Sequence, residues 1–254
     1  MSKSSKSSEE RREKKWRWKK LDPVPPDRPL SILYRIGHGF VFPYIIFPLL
    51  GGREVFGVEN IPTDGGAVIA PNHVSYMDPP LVAACLPRRT YFMAKRELFE
   101  PPLFGELIYT LYAFPVERGS GDRAALRRAI DLVKAGELVI IFPEGTRSRD
   151  GTVGEGQLGP AIVAGRAGRP IVPCAILGTD KMLPPGAKLL RRARFYISFG
   201  EPVWVGGEDE RLSRDVLQTA TDELMRRIRE MHNELKQRRG DIEVAKLAEE
   251  ATAD

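Results

Sequence analysis

The chain holds three histidines, and one of them, His73, sits in the run Asn72-His-Val-Ser-Tyr-Met-Asp-Pro-Pro80. A histidine with an aspartate five residues on can act as a general base. The imidazole takes a proton from a hydroxyl near neutral pH, and a carboxylate on its far nitrogen fixes the tautomer and stabilises the imidazolium. On one regular helix, residues five apart lie about 140° apart around the axis, so the spacing predicts His73 in a turn and Asp78 in the first turn of a helix. Ser75 or Asp78 is expected to cap that helix, with Pro79 at its first position. The apolar run Ala67 to Ala70 reads as the short buried strand that delivers the histidine. A histidine satisfied within a turn is the plain alternative; the placement between strand and helix favours chemistry.

Three further stretches have residue types that suit the same site. Phe114-Pro-Val-Glu-Arg118 ends in an arginine beside flexible glycines, able to hold a phosphate or carboxylate with two hydrogen bonds, or to pair with Glu117 at the surface. The apolar run Leu138 to Phe142 leads into Pro143-Glu-Gly-Thr-Arg-Ser-Arg-Asp-Gly151. Glu144, Thr146, Arg147, Ser148 and Arg149 then lie in a loop at the carboxyl end of a buried strand, where open α/β sheets bind ligands. Ile171-Val-Pro-Cys-Ala-Ile176 is apolar and reads as a pocket wall or a core strand. Gly154-Glu-Gly-Gln-Leu-Gly159 matches a dinucleotide fingerprint in letters only, because no strand directly precedes it; it reads as a mobile loop. The chain has no Gly-x-Ser-x-Gly elbow and no Walker-type phosphate loop.

The elements that must position these residues follow from periodicity. Probable strands cover 54–58, 67–70, 90–94, 138–142, 170–176 and 194–199, with helices at 81–86, 102–111, 122–135 and 159–167 between them. Strands alternating with helices predict an α/β fold, a largely parallel sheet flanked by helices. A last helix at 212–238 has apolar residues at Leu217, Ala220, Leu224, Ile228, Met231 and Leu235, which is a packing stripe; His232 beside it reads as a surface residue. Residues 241–254 are expected to be a flexible terminus, a frayed or marginal helix.

Charge is unevenly spread. Of 39 Lys and Arg and 34 Asp and Glu, residues 1–20 take nine and three, so the remainder carries 30 against 31 and the basic character belongs to the tail. Residues 1–28 read as a disordered, basic, Pro-rich tail whose Trp16 and Trp18 suit a lipid headgroup layer. A solvated tail with no partner is the alternative, and the near-neutral body argues against a nucleic-acid partner. Residues 29–51 are apolar but interrupted by Arg35, His38, Pro43 and Pro48, a poor single span. They read as two short helices broken near Pro43 and lying in one leaflet, with Phe40, Phe42 and Phe47 entering the lipid, or else as a core helix of the body. The body is then 52–240. Cys85 and Cys174 have no metal-ligand spacing and no disulfide framework, which suits a reducing compartment.

Taken together, Asn72-His73-x4-Asp78, Phe114 to Arg118, Phe142-Pro-Glu-Gly-Thr-Arg-Ser148 and Ile171-Val-Pro173, in this order, resemble the 1-acylglycerol-3-phosphate O-acyltransferase (lysophosphatidic acid acyltransferase) family over about residues 53 to 205. The resemblance implies that His73 is the catalytic base and Asp78 its orienting partner. It implies that Arg118 and the loop of Glu144, Gly145, Thr146 and Arg147 hold the acceptor phosphate, and that Ile171, Val172 and Pro173 lie near the acyl donor. The expected partners are lysophosphatidic acid, an acyl-CoA or acyl carrier protein thioester as co-substrate, and an anionic membrane surface. No metal and no cofactor are expected, and the expected location is the cytoplasmic face of the cell membrane, peripheral or monotopic. Rival readings are a different acceptor, such as another lysophospholipid or glycerol 3-phosphate, and a non-catalytic protein that binds anionic lipid.

Overall fold

In the computed structural model, the structure describes residues 23–253 apart from 28, 31, 118–121, 149, 185–186, 188 and 207–211. Trp16, Trp18, Arg118 and Arg149 lie outside the described residues. Among the described residues seven strands form one sheet: β1 (Arg53–Phe56), β2 (Ala67–Pro71), β3 (Thr90–Lys95), β4 (Ala113–Val116), β5 (Leu138–Ile140), β6 (Ile171–Leu177) and β7 (Phe195–Phe199), in the spatial order β1-β7-β6-β2-β5-β3-β4. Every neighbouring pair is parallel except β6 with β7. The strand to which the sequence reading gives no bounds, only an exit at Arg118, is β4, four residues long with Pro115 inside it. It pairs only with β3, and an edge strand is where a proline's missing N–H is tolerated.

The helices are α1, wound as an α-helix over Ile32–Ile36, as a π-helix over Gly37–Ile46 and again as an α-helix over Phe47–Leu49; then α2 (Asp78–Cys85), α3 (Pro102–Thr110), α4 (Arg123–Lys134), α5 (Gly159–Ala167), α6 (Thr179–Met182) and α7 (Arg214–Ala253). Side chains alternate across the central strands. Ala67 and Ile69 face one core with Leu81 and Val82 of α2 and Ile108 of α3, while Val68 and Ala70 face another with Ala129 and Val133 of α4, Ala164 of α5 and Leu224 of α7. A parallel sheet covered on both faces buries every position, which is why β2, β5 and β6 read as continuous apolar runs.

Three expectations are corrected here. The segment before the body is not broken at Pro43: the chain stays helical from Ile32 to Leu49, and the wider winding accommodates a proline that lacks an N–H and crowds the preceding turn. Its aromatic residues are also divided. Phe40 is 56% exposed and Phe42 half-buried, but Phe47 is 1% exposed, edge-on to Phe195 and beneath the Arg53 guanidinium, so Phe47 belongs to the core rather than to a lipid-facing set. Among the described residues no helix is long and apolar enough to cross a membrane.

The second correction is His232, which is buried on α7, where burial lowers its pKa to about 4 and leaves it neutral at pH 7. It lies four residues after Ile228 and three before Leu235, so it continues the packing stripe as well as Met231 does. Third, α7 runs on to Ala253, with Ile242 packed near Tyr196 and Leu235.

Phe47 and Phe40 separate core from surface experimentally. Phe47→Ala is expected to lower unfolding free energy by about 3–5 kcal/mol, and Phe40→Ala by no more than about 0.5 kcal/mol, read as shifts in urea midpoint.

Candidate active site

β2 ends at Pro71, and the turn that follows carries Asn72 and His73 out of the carboxyl edge of the sheet. Asn72 is fully buried and prolongs the pairing with β6 by its side chain: its Oδ1 accepts from the Ile176 N–H at 2.7 Å and its Nδ2 donates to the Ile176 carbonyl at 3.1 Å. That fixes the start of the turn. Asp78 begins α2, and neither it nor Ser75 caps the helix as expected. The carboxylate reaches back into the turn, Oδ2 accepting from the N–H of Val74 and of Ser75, each at 2.7 Å.

The same Oδ2 lies 2.8 Å from His73 Nδ1. A carboxylate can only accept, so Nδ1 carries the proton and Nε2 is left as the base. Asp78 Oδ1 accepts from the Thr179 hydroxyl at 2.5 Å, across 101 residues of chain. Thr179 is fully buried and follows Gly178, whose φ of +95° turns the chain as β6 ends. Sequence reading passed over Thr179, although a threonine at the exit of the strand beside β2 is the signal that marks it.

The loop after β5 wraps around His73. Phe142 stacks on the imidazole with ring centroids 4.0 Å apart. Glu144 Oε1 accepts from the His73 N–H at 2.8 Å, and the Ser148 N–H donates to the His73 carbonyl at 2.7 Å. Glu144 Oε2 accepts from the Gly154 N–H at 3.1 Å. Burial raises the Glu144 carboxyl above its ordinary value, and the two N–H donors oppose that rise. Both oxygens of Glu144 hold main chain, so its place among phosphate ligands is corrected: it clamps the loop to the histidine, and a carboxylate would repel a phosphate.

Gly145 adopts a φ of +69°, which lets Thr146 and Arg147 project from the loop. The Arg147 guanidinium lies 3.5 Å from the ring centroid of Tyr76, which is 61% exposed. A cation held over an aromatic face keeps free N–H groups for an anion. The loop then enters the cleft lined by Thr146, Arg147, Ser148, Asp150 and Thr152. The letters that mimic a nucleotide fingerprint serve packing, since a Cβ on Gly156 would lie 2.6 Å from Met225 of α7.

The remaining expected residues fall as follows. Glu117, at the exit of β4, pairs with Arg96, and its N–H donates to Asp122, which also caps α4 through the N–H groups of Ala124 and Ala125. The exits of β4 and β2 share one edge of the sheet, three strand spacings or about 14 Å apart. Ile171, Val172 and Pro173 are wholly buried in β6, with Pro173 in register with Ala70, and form core.

A buried imidazole with its carboxylate on one nitrogen, at the strand exits of a parallel sheet, has the make-up of a general base. Residues 52–177 match the family model described as Acyltransferase, which gives the class. The chain is 34% identical to the 1-acyl-sn-glycerol-3-phosphate acyltransferase of Bacillus subtilis, over 76% of this chain and 94% of that protein. It is 26% identical to the enzyme of the same name from Streptococcus pneumoniae, over 78% and 72%. The crystal structure of the 1-acyl-sn-glycerophosphate (LPA) acyltransferase from Thermotoga maritima superposes with a TM-score of 0.60 at 29% identity, covering 78% of this chain and 79% of that one. The chain belongs to the 1-acyl-sn-glycerol-3-phosphate acyltransferase family.

Thr179 is a positioning residue, acting through Asp78. A hydrogen bond to a charged group contributes about 1.5–3 kcal/mol. Thr179→Val should therefore lower kcat at least tenfold with little change in acceptor KM, and Thr179→Ser should restore it, in an acyl-transfer assay.

Proposed function

We propose that this protein transfers a fatty acyl group from a thioester, acyl-CoA or acyl carrier protein, to the 2-hydroxyl of a 1-acylglycerol 3-phosphate, giving phosphatidic acid for phospholipid synthesis. The reading rests on one arrangement: a histidine oriented by Asp78 whose main chain is bonded on both sides to the loop that carries Arg147. His73 Nε2 accepts the hydroxyl proton as the oxygen bonds to the thioester carbonyl. The tetrahedral adduct then expels the sulfur, which leaves with the proton from the imidazolium. Asp78 stabilises that cation, and general-base assistance of this kind is worth about 10²- to 10⁴-fold. Positioning of the acceptor supplies much of the rest. Arg147, steadied by Tyr76, grips the acceptor phosphate together with the N–H and hydroxyl donors of its loop, and Arg118 is proposed to assist from the exit of β4. A buried thioester needs no metal to lose its sulfur.

Acyl chains have an apolar lining available beside the catalytic turn. Pro80, Ala83 and Ala84 of α2 face Phe42 of α1, Phe92 of β3 and Leu111 across a narrow cleft. The proposed place of work is the cytoplasmic face of the membrane. Support comes from a row of exposed apolar side chains at four-residue intervals on α1, namely Ile32, Ile36, Phe40 and Tyr44, and from Leu103, Phe104 and Leu107 on α3. Large side chains of this kind, with Ile32 at 76% and Leu103 at 89% exposure, suit insertion into one leaflet. The basic tail with Trp16 and Trp18 would add attraction to anionic lipid.

Two measurements test this reading. Purified protein with an acyl thioester and 1-acylglycerol 3-phosphate should release thiol stoichiometrically with phosphatidic acid. His73→Ala should reduce that by about 10²- to 10⁴-fold with unchanged folding, and Arg147→Ala should chiefly raise acceptor KM, with Tyr76→Ala shifting it in the same direction by less. Wild-type turnover in the His73 variant would remove the histidine from the reaction. Separately, Ile36→Ser/Phe40→Ser/Tyr44→Ser should co-sediment poorly with anionic vesicles while its urea midpoint stays at the wild-type value; undiminished sedimentation would place the docking surface elsewhere.

A further inference from the structure

On the face of the sheet opposite α2 and α3, the first two turns of α4 and the length of α5 leave a groove of about 500 Å³ between them. Its floor is Leu126, Ile130 and Ile162, and its rim is Arg123, Arg127 and Arg166. None of these three arginines has an ion pair or hydrogen bond with another described residue, and all three side chains are exposed. Three uncommitted guanidiniums over an apolar floor form a site of positive charge that the fold itself does not use.

Its position says what can reach it. The apolar row of α3 and the later turns of α1 belong to the other face, since Phe47, Leu50, Phe99 and Ile108 all pack into the core beneath that face, while Tyr34 near the start of α1 joins the core on the groove's side. A body docked through those rows turns the groove toward water. The groove also begins at the catalytic edge: α4 starts just past the exit of β4, and α5 starts where the loop anchored by Glu144 ends. Arg127 and Ile162 lie only about 5–6 Å along their helices from that edge.

We infer that this groove is the docking surface for an acidic helix on a soluble protein that carries the acyl thioester. Arg123 and Arg127 are spaced i, i+4, about 6 Å along α4, which is the pitch of carboxylates at the same spacing on a partner helix. Arg166 stands across the groove to flank that helix, and the apolar floor takes its inward side chains. A nucleotide carrier would call for an aromatic face to stack on, and none lines the groove. Rim charges of this kind govern encounter rate and salt dependence.

This inference rests on the acyl-transfer reading, and the test separates the two. Wild type and the variant Arg123→Glu/Arg127→Glu/Arg166→Glu are compared with palmitoyl-acyl carrier protein and with palmitoyl-CoA, at a fixed acceptor concentration. Direct binding of holo-acyl carrier protein is measured in low and high salt. The variant is expected to raise KM for the protein carrier at least tenfold, to keep kcat and KM for palmitoyl-CoA within twofold, and to lose salt-sensitive binding. Unchanged KM for the protein carrier overturns the inference. So does an equal rise for palmitoyl-CoA, which would make the groove a nucleotide site, or a fall in kcat with both donors, which would make the arginines structural. Absence of binding by wild type also overturns it. Transfer from neither donor would sink the acyl-transfer reading instead, and the binding measurement alone would then decide the groove.

Discussion

A buried carboxylate has to be surrounded by donors, and the satisfaction of Asp78 organises this site. With no exposed surface, the side chain takes hydrogen bonds from the His73 ring, the N–H groups of Val74 and Ser75, and the Thr179 hydroxyl. An uncompensated charge at such a depth costs several kcal/mol, so the turn after β2, the first residue of α2 and the exit of β6 are constrained to meet at one point. The orientation of the imidazole is a consequence. Its proton sits on Nδ1 because the only acceptor there is a carboxylate, and its other nitrogen is thereby free for chemistry.

The sheet order supplies the second constraint. β5 is inserted beside β2, and its exit loop lies against the catalytic turn. Glu144 and Ser148 bind the N–H and the carbonyl of His73, in the two peptide units that flank its Cα, so base and arginine are mounted on a single rigid assembly rather than on two independent loops. The acidic residue in an arginine-rich loop acts here on main chain, and Tyr76 on the catalytic turn completes the exchange by carrying Arg147 on its ring. Each loop holds the part of the other that is proposed to touch substrate, which is how a site on irregular backbone is kept within the tolerance that acyl transfer demands.

Much of this was legible in the chain itself, and the exceptions have physical reasons. His73, Asp78 and the loop at 143–148 could be found because strand, turn and helix signals are local. Thr179 could not be paired with Asp78, because a contact across 101 residues leaves no periodic trace. Glu144 reads as a ligand because it shares a loop with Thr146 and Arg147, and only the direction of its two oxygens reveals the clamp. Helix and strand positions in the body followed from apolar spacing, whereas β4 holds Pro115, a residue that argues against a strand in a sequence reading. Phe47 was read with Phe40 because both sit in one apolar run; a helical wheel disturbed by π winding separates them, and the partner that buries Phe47 is Phe195. His232 was read as surface from its polarity, although its place on the stripe of α7 puts it inside.

The pairing of β1 with β7 joins Arg53 to Phe195, so the first strand of the body finds its only neighbour near the end of the sheet. During synthesis that edge cannot form until roughly the last quarter of the chain has begun to leave the ribosome, since non-local pairing must wait for both segments. Until then the inward side of α1 lacks Phe195 as well. The growing polypeptide therefore presents an apolar, unfinished amino-terminal helix for most of its translation, a state in which a nearby bilayer or a chaperone is the natural temporary cover.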